Sequence, residues 1–506
     1  MLIRAERYDE ALDIFQAIGT HATAFPWTYH GDAHTEFLEF REGVCTEIAR
    51  RVPFFSTPPR PTGPVPCLDP ADAALRRDRH GPAGQPVIVL FRFLFFFSAV
   101  TPFGGTSGPG ECKEMVGPQT RQAEREKTAG PAPLPGPVGS SLLRAWPALA
   151  GYALARMFGT VMLLIWTGSD PIRMLASRYD TGAYLHIAER GYAGSCPVQG
   201  ELCRYAFFPL YPGLIRGATA VLPLPASWAA WGISVLASLV AAWGIYAVVE
   251  MVANRATAIV LVVLWGVLPH AVVESMAYTE PLFTALAAWA LYAVLTRRWL
   301  TAGGLAVLAG LTRPSGAAVA ATVVVCALTA LLRPGPGGQR PVVRLLVCVL
   351  VAPLGWLAWV GWVGHRAGRW DGYFRVQERW GTSFDGGAFT LQHLSGVFQQ
   401  PMVTLDAVMV AAAIAAAVVL LVVCCIQRQP APLLVYATAL VIITIGVAGY
   451  FHSKARFLIP AFVLLLPVAR ALSRARPTIV WTVLASATVI SAACGYYLLG
   501  VARHSP

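Results

Sequence analysis

The stretch SRYDTGAYLHIAERGY (177–192) places Asp180, Tyr184 and Ile187 at i, i+4 and i+7, one face of a helix. Tyr179, Ala183, Ile187 and Ala188 form an adjacent apolar stripe. This pattern suits a helix lying in a membrane–water interface. An aspartate held at such a rim can serve as a general base. It would take a proton from an acceptor hydroxyl while a lipid-linked donor approaches from the membrane side. The competing reading is structural, because aspartate is a frequent helix N-cap.

Three further stretches set ionisable groups against apolar sequence. In ESMAYTEPLF (274–283), Glu274 and Glu280 sit in or at the ends of apolar segments, where charge is costly and function is the default reading. Glu280 precedes Pro281, so it also suits the first turn of a helix, complementing its dipole. In LTRPSG (311–316), Arg313 marks a tight turn; it can snorkel to the interface or hold a phosphate through paired hydrogen bonds. In GYFHSKARFLIPAF (449–462), His452, Lys454 and Arg456 lie within five residues and suit a membrane-anchored phosphate, or a lipid headgroup without chemistry. The stretch 369–387 adds Trp370, Tyr373 and Trp380, an interfacial belt or a stacking surface for sugars.

Other catalytic patterns are missing. The chain has no GxxxxGK[ST], no HExxH and no GxSxG. No Cys/His spacing suggests zinc, and no carboxylate adjoins Asp180, so no obligatory divalent metal or other cofactor is expected. Five cysteines, Cys326, Cys348, Cys424, Cys425 and Cys494, lie in apolar spans as small buried hydrophobes. Cys196 and Cys203 share one polar loop and are candidates for a disulfide if that loop lies outside the cytosol.

The elements that must position these groups are helices in a membrane. Of the 506 residues, 56% are hydrophobic and only 13% charged, about half the charge content of soluble domains. Mean hydropathy is +0.56. Twelve apolar segments lie between 145 and 500, each near the length a helix needs to cross about 30 Å of hydrocarbon. The runs are continuous, which excludes the short alternating segments of a membrane barrel. The net charge of +12 reflects basic cytoplasmic loops rather than a nucleic-acid partner. Arg297–Arg298, the run 333–344, Arg428 and Arg474 with Arg476 orient the bundle. They place 274–280, the turn at 312–316, 365–401 and 450–456 on the non-cytoplasmic side, and the Arg- and Lys-containing N-terminal region, read as inside, places 168–204 there too. Parity then requires one incomplete span between 204 and 280, and the Pro- and Gly-containing segment 206–223 is the first candidate.

Residues 1–140 differ. They are charged, Pro/Gly-rich and without sustained periodicity, which predicts a poorly structured extension of unknown role ahead of a multi-span domain at 141–506. Within it, 7–19 suits one amphipathic helix, and the apolar run 87–100 is too short for a span. A start codon set too far upstream would account for the extension equally well.

The motifs RYDTGAYLHIAERGY and AFFPLYPGLIR (206–216), followed in order by AYTEPLF (277–283), LTRPSG, YFRVQERW (373–380) and HSKARFLIPAF (452–462), resemble the PIG-V-like mannosyltransferases, relatives of the second mannosyltransferase of GPI-anchor synthesis. The resemblance covers about 145–500. It departs at Tyr179, where the family commonly has tryptophan before the aspartate. Its Ala, Val, Arg and Gly usage resembles that of GC-rich, actinobacterial-type bacteria.

The resemblance implies an all-α, polytopic GT-C type helical bundle with a catalytic outer loop. It implies inverting transfer of mannose, or another hexose, from a polyprenyl-phosphate sugar to a glycolipid or glycoprotein acceptor. The enzyme would be a multi-pass protein of the cell membrane with its active site on the extracytoplasmic face, in contact with membrane lipids and not with nucleic acid. Asp180 matches the catalytic base and Glu280 the acidic position after the Tyr-Thr pair. Tyr184, Arg313, His452, Lys454 and Arg456 are the candidate substrate-binding residues. A transporter or flippase of a lipid-linked sugar is the alternative, since a dozen segments with broken helices suit one.

Overall fold

The computed structural model describes residues 138–168, 170–192, 203–332, 341–397, 399, 404–502 and 505. Residues 1–137, including the stretches at 7–19 and 87–100, lie outside the described residues, as does Cys196. The described residues all belong to the unit Arg121–Pro506.

Two long-range features define the architecture: it is all-helical, and its helices differ sharply in length. In hydrocarbon the backbone must satisfy its own hydrogen bonds, so apolar runs fold as helices. In chain order these are α1 (Val138–Thr167), α2 (Pro171–Ser177), α3 (Thr181–Arg190), α4 (Leu210–Val221), α5 (Ala226–Val252), α6 (Arg255–Gly266) and α7 (Glu280–Leu295). They continue as α8 (Trp299–Gly310), α9 (Gly316–Leu332), α10 (Val342–Val351), α11 (Leu354–Arg366), α12 (Gly372–Arg379) and α13 (Ala388–Val397). The last are α14 (Leu405–Ile426), α15 (Ala431–Gly446), α16 (Lys454–Phe457), α17 (Leu466–Leu472) and α18 (Pro477–Tyr496). Among the described residues the β-pairing is confined to one isolated bridge, Phe384 with Val447.

The chain is an all-α, multi-pass membrane protein. Five stretches are long and apolar enough to cross a bilayer: α1, α5, α10 with α11, α14, and α18 with the π-helical turn that follows it. The bent pair Phe451–Phe457 and Phe462–Leu472 has the geometry of either a sixth, broken span or a re-entrant loop. Five more apolar helices, α6 to α9 and α15, have only 10–17 residues. The twelve near-complete spans expected from hydropathy therefore resolve into long and short ones. Segment 206–223 becomes the 12-residue α4, about 18 Å of helix and too short to cross.

Helix α5 is the centre. In its most apolar window 61% of residues are buried, against 22–28% in the other four spans, so those four form the periphery. Small residues allow the close packing: α5 lies along α7 with Ala237, Ala241, Ala287 and Ala288 buried between them. The peripheral α1 turns Leu154, Met157, Val161 and Ile165 outward, an apolar surface of the kind that faces lipid.

The bent pair has an identifiable cause. It turns through 73° at a break containing Pro460, which cannot continue a helix ladder. The carbonyls released there are taken up by side chains: Trp265 Nε1 donates to Ile459 O at 3.0 Å, and Tyr436 Oη to Pro460 O at 3.0 Å. A second tight place is the turn from α8 to α9. There a Cβ on Gly316 would lie 2.4 Å from Ala309 O, so only glycine lets the chain reverse closely enough to seat Arg313.

Candidate active site

Asp180 occupies the N-cap position of α3, yet it does not cap. Its backbone is right-handed helical (φ −60°, ψ −21°) and its side chain makes no hydrogen bond to the helix. Instead Oδ2 accepts from Arg456 Nη1 at 2.9 Å, a partner 276 residues away. The preceding Tyr179 has φ 56°, a left-handed conformation that costs a non-glycine residue about 1–2 kcal/mol. Tyr450, ahead of Arg456, is likewise left-handed at φ 43°. Both loops that deliver the Asp180–Arg456 pair thus carry local backbone strain.

Around that pair lies a charge cluster from four separate segments. Glu280, the first residue of α7 with Pro281 behind it, is 3% exposed. Its Oε1 meets two arginines, Arg313 Nη1 at 2.9 Å and Arg456 Nε at 3.3 Å. Glu280 therefore complements the dipole of α7 and also bridges the two cations. The count is two carboxylates and two guanidinium groups, which makes so deep a cluster neutral and tolerable. Phe457 stands between the cations, with Arg313 5.4 Å and Arg456 5.1 Å from its ring centroid. Arg456 also lies over Tyr278, at 5.0 Å.

The ion pairs do not use up the cations. The contacts to Glu280 are short but off the hydrogen-bond direction. Buried Nε and Nη1 of Arg313 and Nε of Arg456 have no hydrogen-bond partner. Asp180 is the open member, with 31% of its side chain exposed against 9% for Arg456. A partly exposed carboxylate thus sits beside buried, polar donors that are not saturated.

The loop before α7 is tied to the start of α3. Thr181 Oγ1 donates to Ala277 O at 3.3 Å, and Asp180 N to Tyr278 Oη at 3.4 Å. Tyr184 Oη and Thr279 Oγ1 share a bond of 3.4 Å. Tyr184 is buried, and its ring packs edge-on against Phe207 and Tyr211 from the FFPLYP stretch. Burial, with the negative charges of Asp180 and Glu280, raises its phenol well above the ordinary value. It stays protonated and holds the wall of the site.

The structure thus joins Asp180, Glu280, Arg313 and Arg456, with Tyr184 adjoining them. Two other candidates lie differently. Lys454 is buried, and its ammonium donates to Thr444 O at 2.8 Å and to Val447 O. These are carbonyls at the C-terminal end of α15, which otherwise lack partners. His452 is half-buried and packs edge-on to Tyr450, ring centroids 5.8 Å apart. Glu274 is 1% exposed and interacts electrostatically with Arg156 and Tyr152 of α1.

The aromatic trio also divides. Trp370 is exposed, Tyr373 is buried, and Trp380 donates to Cys203 O at 2.8 Å. Cys203 is disulfide-bonded, while Cys326, Cys348, Cys424, Cys425 and Cys494 are free. Sequence reasoning passed over Tyr278 and Phe457, which line the arginines. Their signal was position, each within two residues of a charged site residue. Among the described residues no group of three or more His, Cys, Asp or Glu could hold a metal ion.

No family model matches the chain, and no curated protein matches it. Solved structures similar to the chain include two of one protein. One is ArnT from Cupriavidus metallidurans bound to undecaprenyl phosphate, at 18% identity over 67% of this chain and 63% of that one, with a TM-score of 0.43. The other is the same protein in the apo state, at 17% identity over 71% of this chain and 66% of that one, with a TM-score of 0.45. The chain spans less than two thirds of either ArnT chain.

Proposed function

We propose that the chain is an integral-membrane glycosyltransferase of the GT-C type. It moves mannose, or another hexose, from a polyprenyl-phosphate donor to a glycolipid or glycoprotein acceptor on the non-cytoplasmic face. The observation that carries this reading is Asp180. The residue occupies a cap position without capping, stays partly exposed, and pairs with the buried Arg456, which Glu280 joins to the buried Arg313, both arginines keeping unused donors. The ordered motifs that resemble PIG-V-like mannosyltransferases supply the sugar preference, and the positive-inside count supplies the face.

The chemistry follows from charge balance. Asp180 takes the proton of the acceptor hydroxyl as that oxygen attacks the anomeric carbon. The bond from that carbon to the phosphate oxygen breaks on the opposite side, so configuration inverts. The phosphate gains one negative charge as it leaves, and Asp180 loses one as it is protonated. Arg456 then loses one of its two carboxylate partners, keeping Glu280, at the moment a more highly charged phosphate needs a cation. Its guanidinium and the unused donors of Arg313 can stabilise the leaving group more than the ground state, which is the requirement for rate acceleration. No general acid is needed, because a phosphate leaves readily.

Deleting the gene and comparing glycolipids and glycoproteins by mass spectrometry tests this reading. A hexose lost from one class identifies the acceptor. Unchanged glycans of both classes would remove the proposal.

A further inference from the structure

The outer face of α12 is not accounted for by the charge cluster. The span formed by α10 and α11 ends at Arg366. Four residues later Trp370 stands 88% exposed. Helix α12 buries Gly372, Tyr373 and Val376 and turns Phe374, Arg375 and Arg379 to the outside. Arg369, Arg375, Glu378 and Arg379 line one shallow cleft. Arg369 and Arg375 share Asp371, at 2.8 Å and 3.1 Å, and Arg375 also reaches Glu378 at 2.9 Å. From 366 to 380 there are four arginines against two carboxylates, so the patch keeps a positive excess.

We propose that this face of α12 docks the headgroups of anionic phospholipids in the leaflet beside the Asp180 cluster. Position favours a lipid over a protein. An exposed tryptophan just beyond a span lies at headgroup depth, where amphipathic aromatic rings concentrate. The guanidinium fork matches phosphate oxygens in pairs. Arginines on a face read as non-cytoplasmic also run against the usual charge bias, and the two carboxylates beside them leave a positive excess for an anionic partner.

The other side of α12 reaches the site. Gln377 Nε2 donates to Ala206 O at 3.5 Å, Trp380 packs on Phe207, and Phe207 packs on Tyr184. A lipid bound at α12 therefore sets the height of the aromatic wall relative to the membrane surface.

Native mass spectrometry of the full chain in detergent, with phosphatidylglycerol or phosphatidylcholine added, reads the preference directly. The wild type should retain phosphatidylglycerol over phosphatidylcholine. Arg379→Gln, which leaves the ion pairs of Asp371 intact, should weaken that retention roughly fivefold. The triple change Arg369→Gln, Arg375→Gln, Arg379→Gln should abolish the preference. Equal retention of the two lipids by the wild type would overturn the proposal, as would an unchanged preference in Arg379→Gln. Displacement of phosphatidylglycerol by an equal concentration of inorganic phosphate would instead mark a soluble-anion site and would also overturn it.

Discussion

Replacing Asp180 by Asn and Glu280 by Gln should separate chemistry from scaffold within one cluster. The Asp180 side chain is 31% exposed, and its loss of charge leaves Arg456 still beside Glu280. Asparagine keeps an oxygen that can accept from Arg456. Stability should fall by only about 1 kcal/mol, as for exposed or half-exposed ion pairs. Glu280 is 3% exposed and is the carboxylate shared by both arginines. Neutralising it leaves two buried guanidinium groups with Asp180 alone, and breaking a buried pair costs about 3–5 kcal/mol. Thermal unfolding of the purified variants in one detergent measures the difference. Transfer activity should rank oppositely per folded molecule, with Asp180→Asn losing about 10²–10⁴-fold, the contribution of a positioned base. The reasoning is refuted if Asp180→Asn keeps transfer within tenfold of wild type. It is equally refuted if both variants are destabilised alike.

Three further outcomes follow from the same geometry. Arg456→Lys should retain the fold but lose roughly 10²-fold in kcat/KM, because one ammonium cannot reach both Asp180 and Glu280 as the guanidinium does. Lys454→Met should lower stability by about 1–3 kcal/mol, the cost of buried acceptors left without donors, while activity per folded molecule is kept. A raised donor KM at unchanged stability would return Lys454 to the binding residues. Tyr184→Phe removes only the 3.4 Å bond to Thr279, so stability should change by about 1 kcal/mol or less and kcat by less than tenfold. A hundredfold fall in kcat would mean that the phenol touches the substrate.

Helix positions were largely legible in the sequence, and helix lengths were not. Hydropathy runs smoothly through 257–273, yet α6 stops at Gly266 and the chain continues as a 3-10 turn over Ala271–Ser275. Apolarity reports the solvent a segment prefers, not where its backbone ladder breaks. Within the site, Asp180, Glu280, Arg313 and Arg456 were each visible as charges against apolar sequence. Counting spans put their segments on one side, without showing which side chains would meet. Lys454 and Arg456 illustrate the gap. Two residues apart on a helix, they point about 200° away from each other, so only one can face Asp180. The choice is made by the bend at Pro460 and the free carbonyls of α15, both of which are tertiary facts. Asp180 illustrates the converse: its residue type and position suited a cap, and only the distant Arg456 shows that the carboxylate is engaged elsewhere.

Reconstituting the purified chain in proteoliposomes with a polyprenyl-phosphomannose labelled in the sugar, together with membrane glycolipids as acceptors, tests the central claim most directly. The account predicts label in a new, acceptor-linked product, released polyprenyl phosphate in equal amount, and loss of both in Asp180→Asn. Label that crosses the bilayer while still attached to its polyprenyl phosphate, with no acceptor product, would contradict it and identify a transporter instead.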